Sequence, residues 1–139
     1  MTPAQLDRLR AIDAHLKYLL EDIAAKRTPG DWQYDTCSVI SRCEIDDDEA
    51  RRHADGGYYR IEAEGVPDSC KFIASCAGNA EAGWKATRAA ISEVLQMHEA
   101  VMLWNKKGDA IEVATMLSVA AESIAEPILA AFPLESLNA

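Results

Sequence analysis

The sequence predicts an α+β fold: three long helices plus one short helix, with a small antiparallel sheet from the middle third. Three observations carry that expectation. Apolar residues recur every three or four positions over residues 3–26, the spacing of one helix face. They alternate with polar residues around positions 32–36 and 59–64, as in half-buried strands. From Pro67 the helical spacing returns in an alanine-rich stretch, and alanine is the strongest helix former. The 139 residues have the size of one domain. The expected division is an N-terminal helix (1–27), a small sheet with an acidic loop (28–66) and an Ala-rich helical part (67–139).

The first helix places Leu6, Leu9, Ile12, Leu16, Leu19, Leu20 and Ile23 on one stripe. Thr2 is positioned to cap it, Pro3 suits the first helical position, and Gln5 completes a capping box. Lys26 and Arg27 suit the negative end of its dipole. Pro29 disfavours a helical Thr28, and Gly30 supplies a turn. Beyond it, Trp32, Tyr34 and Thr36 alternate with Gln33 and Asp35. The segment from Cys37 to Ile45 has no helical stripe. Asp55-Gly56-Gly57 signals a turn, after which Tyr59, Ile61 and Ala63 alternate with Arg60, Glu62 and Glu64. Trp32 is expected at the start of the sheet, packing over the helices. So small a sheet must lie against helices to persist.

Asp68 is a cap for a short helix that turns Phe72, Ile73 and Cys76 inward and ends at Gly78. Asn79 caps the next helix, whose apolar side carries Trp84, Ile91, Val94, Leu95, Val101, Met102 and Trp104. That helix stops at Gly108. Asp109 and Glu112 form a capping box for a last helix with Ile111, Leu117, Ile124 and Ile128 on one side. Pro127 should kink or break it after Glu126, and Pro133 starts a final turn. Two Ala-rich helices joined near Gly108 make an antiparallel hairpin.

The formal charge is −9 and is unevenly spread. Residues 28–66 hold ten acids against four arginines. A chain this acidic should repel nucleic acid, whose binding rests on cationic neutralisation of phosphates. It suits a basic protein surface instead. No continuous apolar run reaches the ~20 residues of a membrane span, and Asp7 and Asp13 interrupt any leader-like start. The expectation is a cytoplasmic protein that binds neither membrane nor nucleic acid directly.

Signals for catalysis are missing. The sequence has no phosphate-binding glycine loop and no Gly-x-Ser-x-Gly elbow. Cys37 and Cys43, like Cys70 and Cys76, are spaced Cys-x5-Cys, wider than usual zinc spacings. They read as small half-buried thiols. His15 and His98 sit on helix faces, and His53 lies in the acidic loop. The run 44–49 has arginines at 51 and 52 where a calcium loop needs ligands. The expectation is therefore no enzyme, no cofactor and no metal. The candidate partner-binding residues are Glu44, Asp46, Asp47, Asp48 and Glu49, with Tyr58 and Trp32 as aromatic anchors. An alternative, a nucleotide-signal binder, would use Arg51, Arg52, Tyr59 and Arg60.

The run Thr28-Pro29-Gly30-x-Trp32, the strand-like acidic stretch and "KFIASCAGNAEAGW" together resemble the Ead-like accessory proteins of phages and prophages. The likeness covers residues 28–95. Asp31 stands where those proteins usually have proline, and the helical hairpin of residues 79–132 extends beyond their end. The resemblance implies a short N-terminal helix, a few strands and an Ala-rich helix. It also implies a mobile genetic element in a bacterial host, and it supplies no catalytic residues. The reading is an acidic anti-defence protein, of anti-CRISPR type, that binds a basic surface on a host nucleic-acid-handling protein. A structural homodimer through the C-terminal helices is the further alternative.

Overall fold

In the structure, a computed structural model, residues 1–28, 31–35, 37–43, 50–52, 56–108 and 110–132 are described. The chain is α+β, with three helices and a four-stranded antiparallel sheet. It forms two compact units, one from Met1–Ala25 with Trp84–Ala139, the other from Lys26–Gly83.

Helix α1 spans Pro3–Tyr18. The Thr2 hydroxyl accepts from the Gln5 amide at 3.2 Å, and the Gln5 side chain accepts from the Thr2 amide at 2.9 Å. Both bonds of the expected capping box are therefore made. Leu6, Leu9, Ile12 and Leu16 are buried, while Leu19 and Leu20 are half-buried. Ile23 departs from the expected stripe and is 49% exposed. The helix widens to π geometry over Leu19–Ile23 and tightens to 3-10 over Ala24–Lys26. A wider turn shifts the phase of every side chain after it, which carries Ile23 off the buried face.

Helix α2 runs unbroken over Pro67–Lys107. The expected break at Gly78 is absent, so the short helix and its successor are one. A glycine inside a helix costs only about 1 kcal/mol against alanine, which the surrounding alanines and helical bonds absorb. Asn79 is no cap; its Nδ2 donates back to the Ser75 carbonyl at 3.0 Å. The early part of α2 buries Cys70, while Phe72 is 70% exposed and Ile73 is 39% exposed, against the expectation for both. Further along, Ile91, Val94 and Val101 are buried and Trp84, Leu95 and Trp104 half-buried. Met102 faces outward.

Helix α3 spans Ile111–Ala131. Gly108 ends α2 in the left-handed conformation, with φ +67°. Asp109 lies outside the described residues. The residue at the N-cap of α3 is Ala110, at φ 51°, without a side-chain cap bond. Pro127 neither ends nor interrupts the run. It removes one backbone donor near the end of a long helix, where the remaining bonds carry it. The last carbonyls are served from α1: Arg8 donates to Leu129 O at 3.0 Å and to Phe132 O at 2.8 Å.

The core of the terminal unit is Leu9, Ile12 and Leu16 of α1, Ile91 and Val94 of α2, and Ala121 and Ala125 of α3. The innermost residues of α3 are thus alanines, not the expected Ile111, which is 65% exposed. Leu117, Ile124 and Ile128 flank them, half-buried. Alanine at the closest approach lets the helix backbone come near its neighbours, and the larger side chains fill the sides. Arg88 of α2 grips Asp13 of α1 with a fork, Nε to Oδ1 at 2.9 Å and Nη2 to Oδ2 at 3.4 Å. That hydrogen bond, helped by the Asp13 and Glu21 charges and opposed by desolvation, pushes the Arg88 guanidinium above its ordinary value.

The middle unit holds β1 (Trp32–Asp35), β2 (Ser38–Cys43), β3 (Arg51–Arg52) and β4 (Tyr58–Glu64), in the order β1-β2-β4-β3. Strand β3 has no counterpart among the elements expected from the sequence. Gly56, at φ +91°, lies on the connection from β3 to β4, as the turn signal implied. Val39 faces Ala63 but Ile40 faces Ile61, so Glu62 is the extra residue of a bulge. The buried Ser41 hydroxyl donates to Glu62 Oε1 at 2.6 Å, which satisfies a polar group that burial would otherwise penalise. Thr36, the Pro29-Gly30 turn and Pro133 lie outside the described residues.

A Cβ at Gly78 or at Gly83 would meet nothing within 4 Å. Gly78→Ala and Gly83→Ala should each raise stability by roughly 0.5–1 kcal/mol in chemical denaturation. Leu16→Ala empties a fully buried position and should lower it by about 2–5 kcal/mol.

Candidate functional site

The site begins with one backbone carbonyl. Trp32 Nε1 donates to Thr28 O at 3.0 Å, and Arg27 Nη1 donates to the same oxygen at 2.9 Å. The Arg27 guanidinium lies 5.4 Å from the Trp32 ring centroid, within cation–π range. Its Nε is paired with Glu81 of α2. The helix-ending segment and the first strand are thus tied together by an arginine whose charge is already matched. Trp32 therefore has a structural role, since its ring supports Arg27 and its N–H binds the Thr28 carbonyl.

Beside this cluster lies an open cleft of about 380 Å³, lined by Arg27, Asp31, Trp32, Gln33 and, from α2, Ala74, Ser75, Gly78 and Asn79. The α2 wall is made of small side chains. The rest combines an indole with a guanidinium, one amide and a carboxylate. Such a lining suits a small polar group held by hydrogen bonds.

Strand register decides which of the expected site residues meet. Trp32 pairs with Ser41, and Ser41 with Arg60. Two residues along, Cys43 pairs with Tyr58, and Tyr58 with Arg52. Side chains alternate across a sheet, so Trp32, Arg60, Tyr58 and Arg52 share one face at one end of the sheet. Arg42, Tyr59 and Arg51 form the intervening row, on the opposite face.

This arrangement treats the two expected sites differently. Glu44, Asp46, Asp47, Asp48 and Glu49 lie outside the described residues. The residues that bracket them are described: Cys43 and Arg52 flank Tyr58 from either side. The two aromatic anchors, Trp32 and Tyr58, stand on the same face of that sheet end and are both half-buried. The four residues of the nucleotide-binding alternative do not converge. Arg51 and Tyr59 lie on one face, Arg52 and Arg60 on the other. Sequence reasoning missed Arg42, which register sets level with Tyr59 and Arg51, and Arg27, which looked only like a charge at a helix end. The pairing of i and i+2 along one strand signals such rows, but only once partner strands are known.

The described thiols differ in setting. Cys70 is 1% exposed and its Sγ donates to the Cys37 carbonyl at 3.2 Å. Cys37 is exposed and Cys76 half-buried, and all three are free thiols. Among the described residues no group of three His, Cys, Asp or Glu side chains is placed to hold a metal ion. His15 and His98 are half-buried on their helices, and His53 lies outside the described residues.

Compared with protein-family models, curated proteins and solved structures, the chain matches none.

Brief alkylation of the native protein followed by peptide mapping should label Cys37 readily. Cys70 should react more than about tenfold more slowly until denaturant is added, because its exposure needs local opening.

Proposed function

We propose that the protein acts by binding another protein, through the end of the sheet where Trp32 and Tyr58 stand beside the brackets of the acidic run. The observation that supports this most is the shared position of Cys43 and Arg52 on either side of Tyr58. It anchors both flanks of the acidic segment at one place, next to two aromatic side chains of the kind that anchor interfaces. Five carboxylates between residues 44 and 49 supply the charge that a basic surface recognises. Arg52 and Arg60 share the face of Trp32 and Tyr58 and give it a mixed charge pattern, which favours selectivity among basic partners.

In this reading the partner is a bacterial nucleic-acid-handling protein whose basic groove the acidic segment occupies, and the protein works as an anti-defence inhibitor in the cytoplasm. The resemblance of residues 28–95 to Ead-like phage accessory proteins supplies that context. The nucleotide-binding alternative is less favoured, because register divides its four residues between two faces.

The test is expression in a bacterium with an active nucleic-acid-targeting defence. The wild-type chain should restore plasmid establishment, and the triple variant D46K/D47K/D48K should lose that effect while keeping its circular dichroism spectrum. Complex formation with the purified effector should weaken steeply as salt rises, since the screening length is ~8 Å at physiological ionic strength. Undiminished protection by the triple variant would overturn the proposal.

A further inference from the structure

Helix α3 is apolar on both sides. Ala114, Ala121 and Ala125 face the core. On the opposite side, Val113, Met116, Ala120, Ser123, Pro127 and Ala130 recur at intervals of three and four, a second seam on the same helix. Val113 is 47% exposed, Met116 71% and the adjacent Val119 60%. By length and composition the helix could cross a membrane, yet only 17% of its apolar window is buried. Glu112, Glu122 and Glu126 interrupt the apolar run, which is why no continuous span stands out in the sequence. An apolar helix normally has cover all round, and among the described residues this one has cover on one side.

We propose that the outer seam of α3 pairs with α3 of a second copy of this chain, antiparallel and about a two-fold axis that passes between Ala120 and Ser123. The seam is complementary to itself in that arrangement. Val113 meets Ala130, Met116 meets Pro127 and Ala120 meets Ser123, so a larger side chain opposes a smaller one at the outer layers and two small ones let the helices close at the axis. Opposed large and small residues are what interdigitating layers require, and a two-fold interface must be built from one patch on both copies.

Charge sets the direction. A parallel pair would place Met116 against Met116 and set the like poles of the two α3 dipoles side by side. The antiparallel pair instead brings the basic hairpin tip, Lys106 and Lys107, towards the end of the partner copy that carries Glu126 and the negative pole of α3. Charge also disfavours lipid as the cover, because the three glutamates of α3 would have to enter hydrocarbon. Between two proteins they stay at a wet rim. In extent, a helix of 21 residues offers a lateral half-face of roughly 500 Å². Two such half-faces bury about 1,000 Å² in all, the size at which a specific interface begins.

The test is sedimentation equilibrium of the full chain at micromolar concentration. The wild type should show twice its 15.2 kDa mass. Met116→Glu should weaken the dimer at least about tenfold with unchanged circular dichroism and melting, because Met116 contributes little to the monomer core. Mixing V113C with A130C protein should give a cross-linked peptide pair by mass spectrometry. V113C alone should not link to itself, since two copies of Val113 would lie about 25 Å apart along antiparallel helices. A wild-type mass of 15.2 kDa, a dimer indifferent to Met116→Glu, a Val113–Val113 link, or co-sedimentation with phosphatidylglycerol vesicles that Met116→Glu abolishes would each overturn the proposal.

Discussion

Leu9, Ile12 and Leu16 are shielded completely from water, and the terminal unit depends on that burial. Each such side chain contributes roughly 1.5–3 kcal/mol relative to exposure, but only if α2 and α3 close over the stripe. Ile91 and Val94 supply one wall. Ala121 and Ala125 supply the other, and their small size permits the approach. The polar contacts follow from the same packing. Arg8 can serve the last carbonyls of α3, and Arg88 can fork onto Asp13, because the stripe has already fixed where the three helices lie. Without that burial, the free carbonyls beyond Pro127 would have only solvent as partner.

The middle unit rests on a different device. Its sheet is small, and its strands bury few large side chains. Val39 and Ile40 are buried on successive positions, which a regular strand would send to opposite faces. The bulge at Glu62 falls at that place, and it brings a carboxylate to the buried Ser41 hydroxyl. The thiol of Cys70 and the amide of Gly65 both donate to the Cys37 carbonyl, at 3.2 and 2.9 Å, and Arg27 and Trp32 converge on the Thr28 carbonyl. Two backbone oxygens therefore collect the contacts that hold the ends of the sheet. Such convergence suits a unit too small to rely on apolar area alone.

Some elements were legible because the signal is local. The Thr2–Gln5 box, the helical stripe from Leu6 to Leu16, the halt at Gly108 and the turn near Gly56 depend on residues within a few positions of one another. Others misled for the same reason. Gly78 and Pro127 are helix breakers by local preference, and both sit in long helices whose remaining bonds outweigh one defect. Phe72, Ile73 and Ile111 have apolar side chains at helical spacing, but the stripe that meets a neighbour is Cys70 in one helix and alanine in the other. The two-residue strand β3 was hidden in a charge-rich segment, because its identity comes from pairing with Tyr58 and Tyr59 rather than from its own composition.

The sequence by itself determined the α+β class, the placing of a small sheet between helical segments, the concentration of acids in residues 28–66 and the aromatic residues beside them. These are properties of composition and short-range spacing, which need no partner segment to be read. Only the tertiary structure decided which faces were covered. Strand register put Trp32 and Tyr58 on one side of the sheet and separated Arg51 from Arg52, and helix packing chose Ala121 and Ala125 over Ile111 and left Val113, Met116 and Val119 exposed. The reason is that burial is a relation between segments distant along the chain: a side chain is inside only if another surface arrives to meet it.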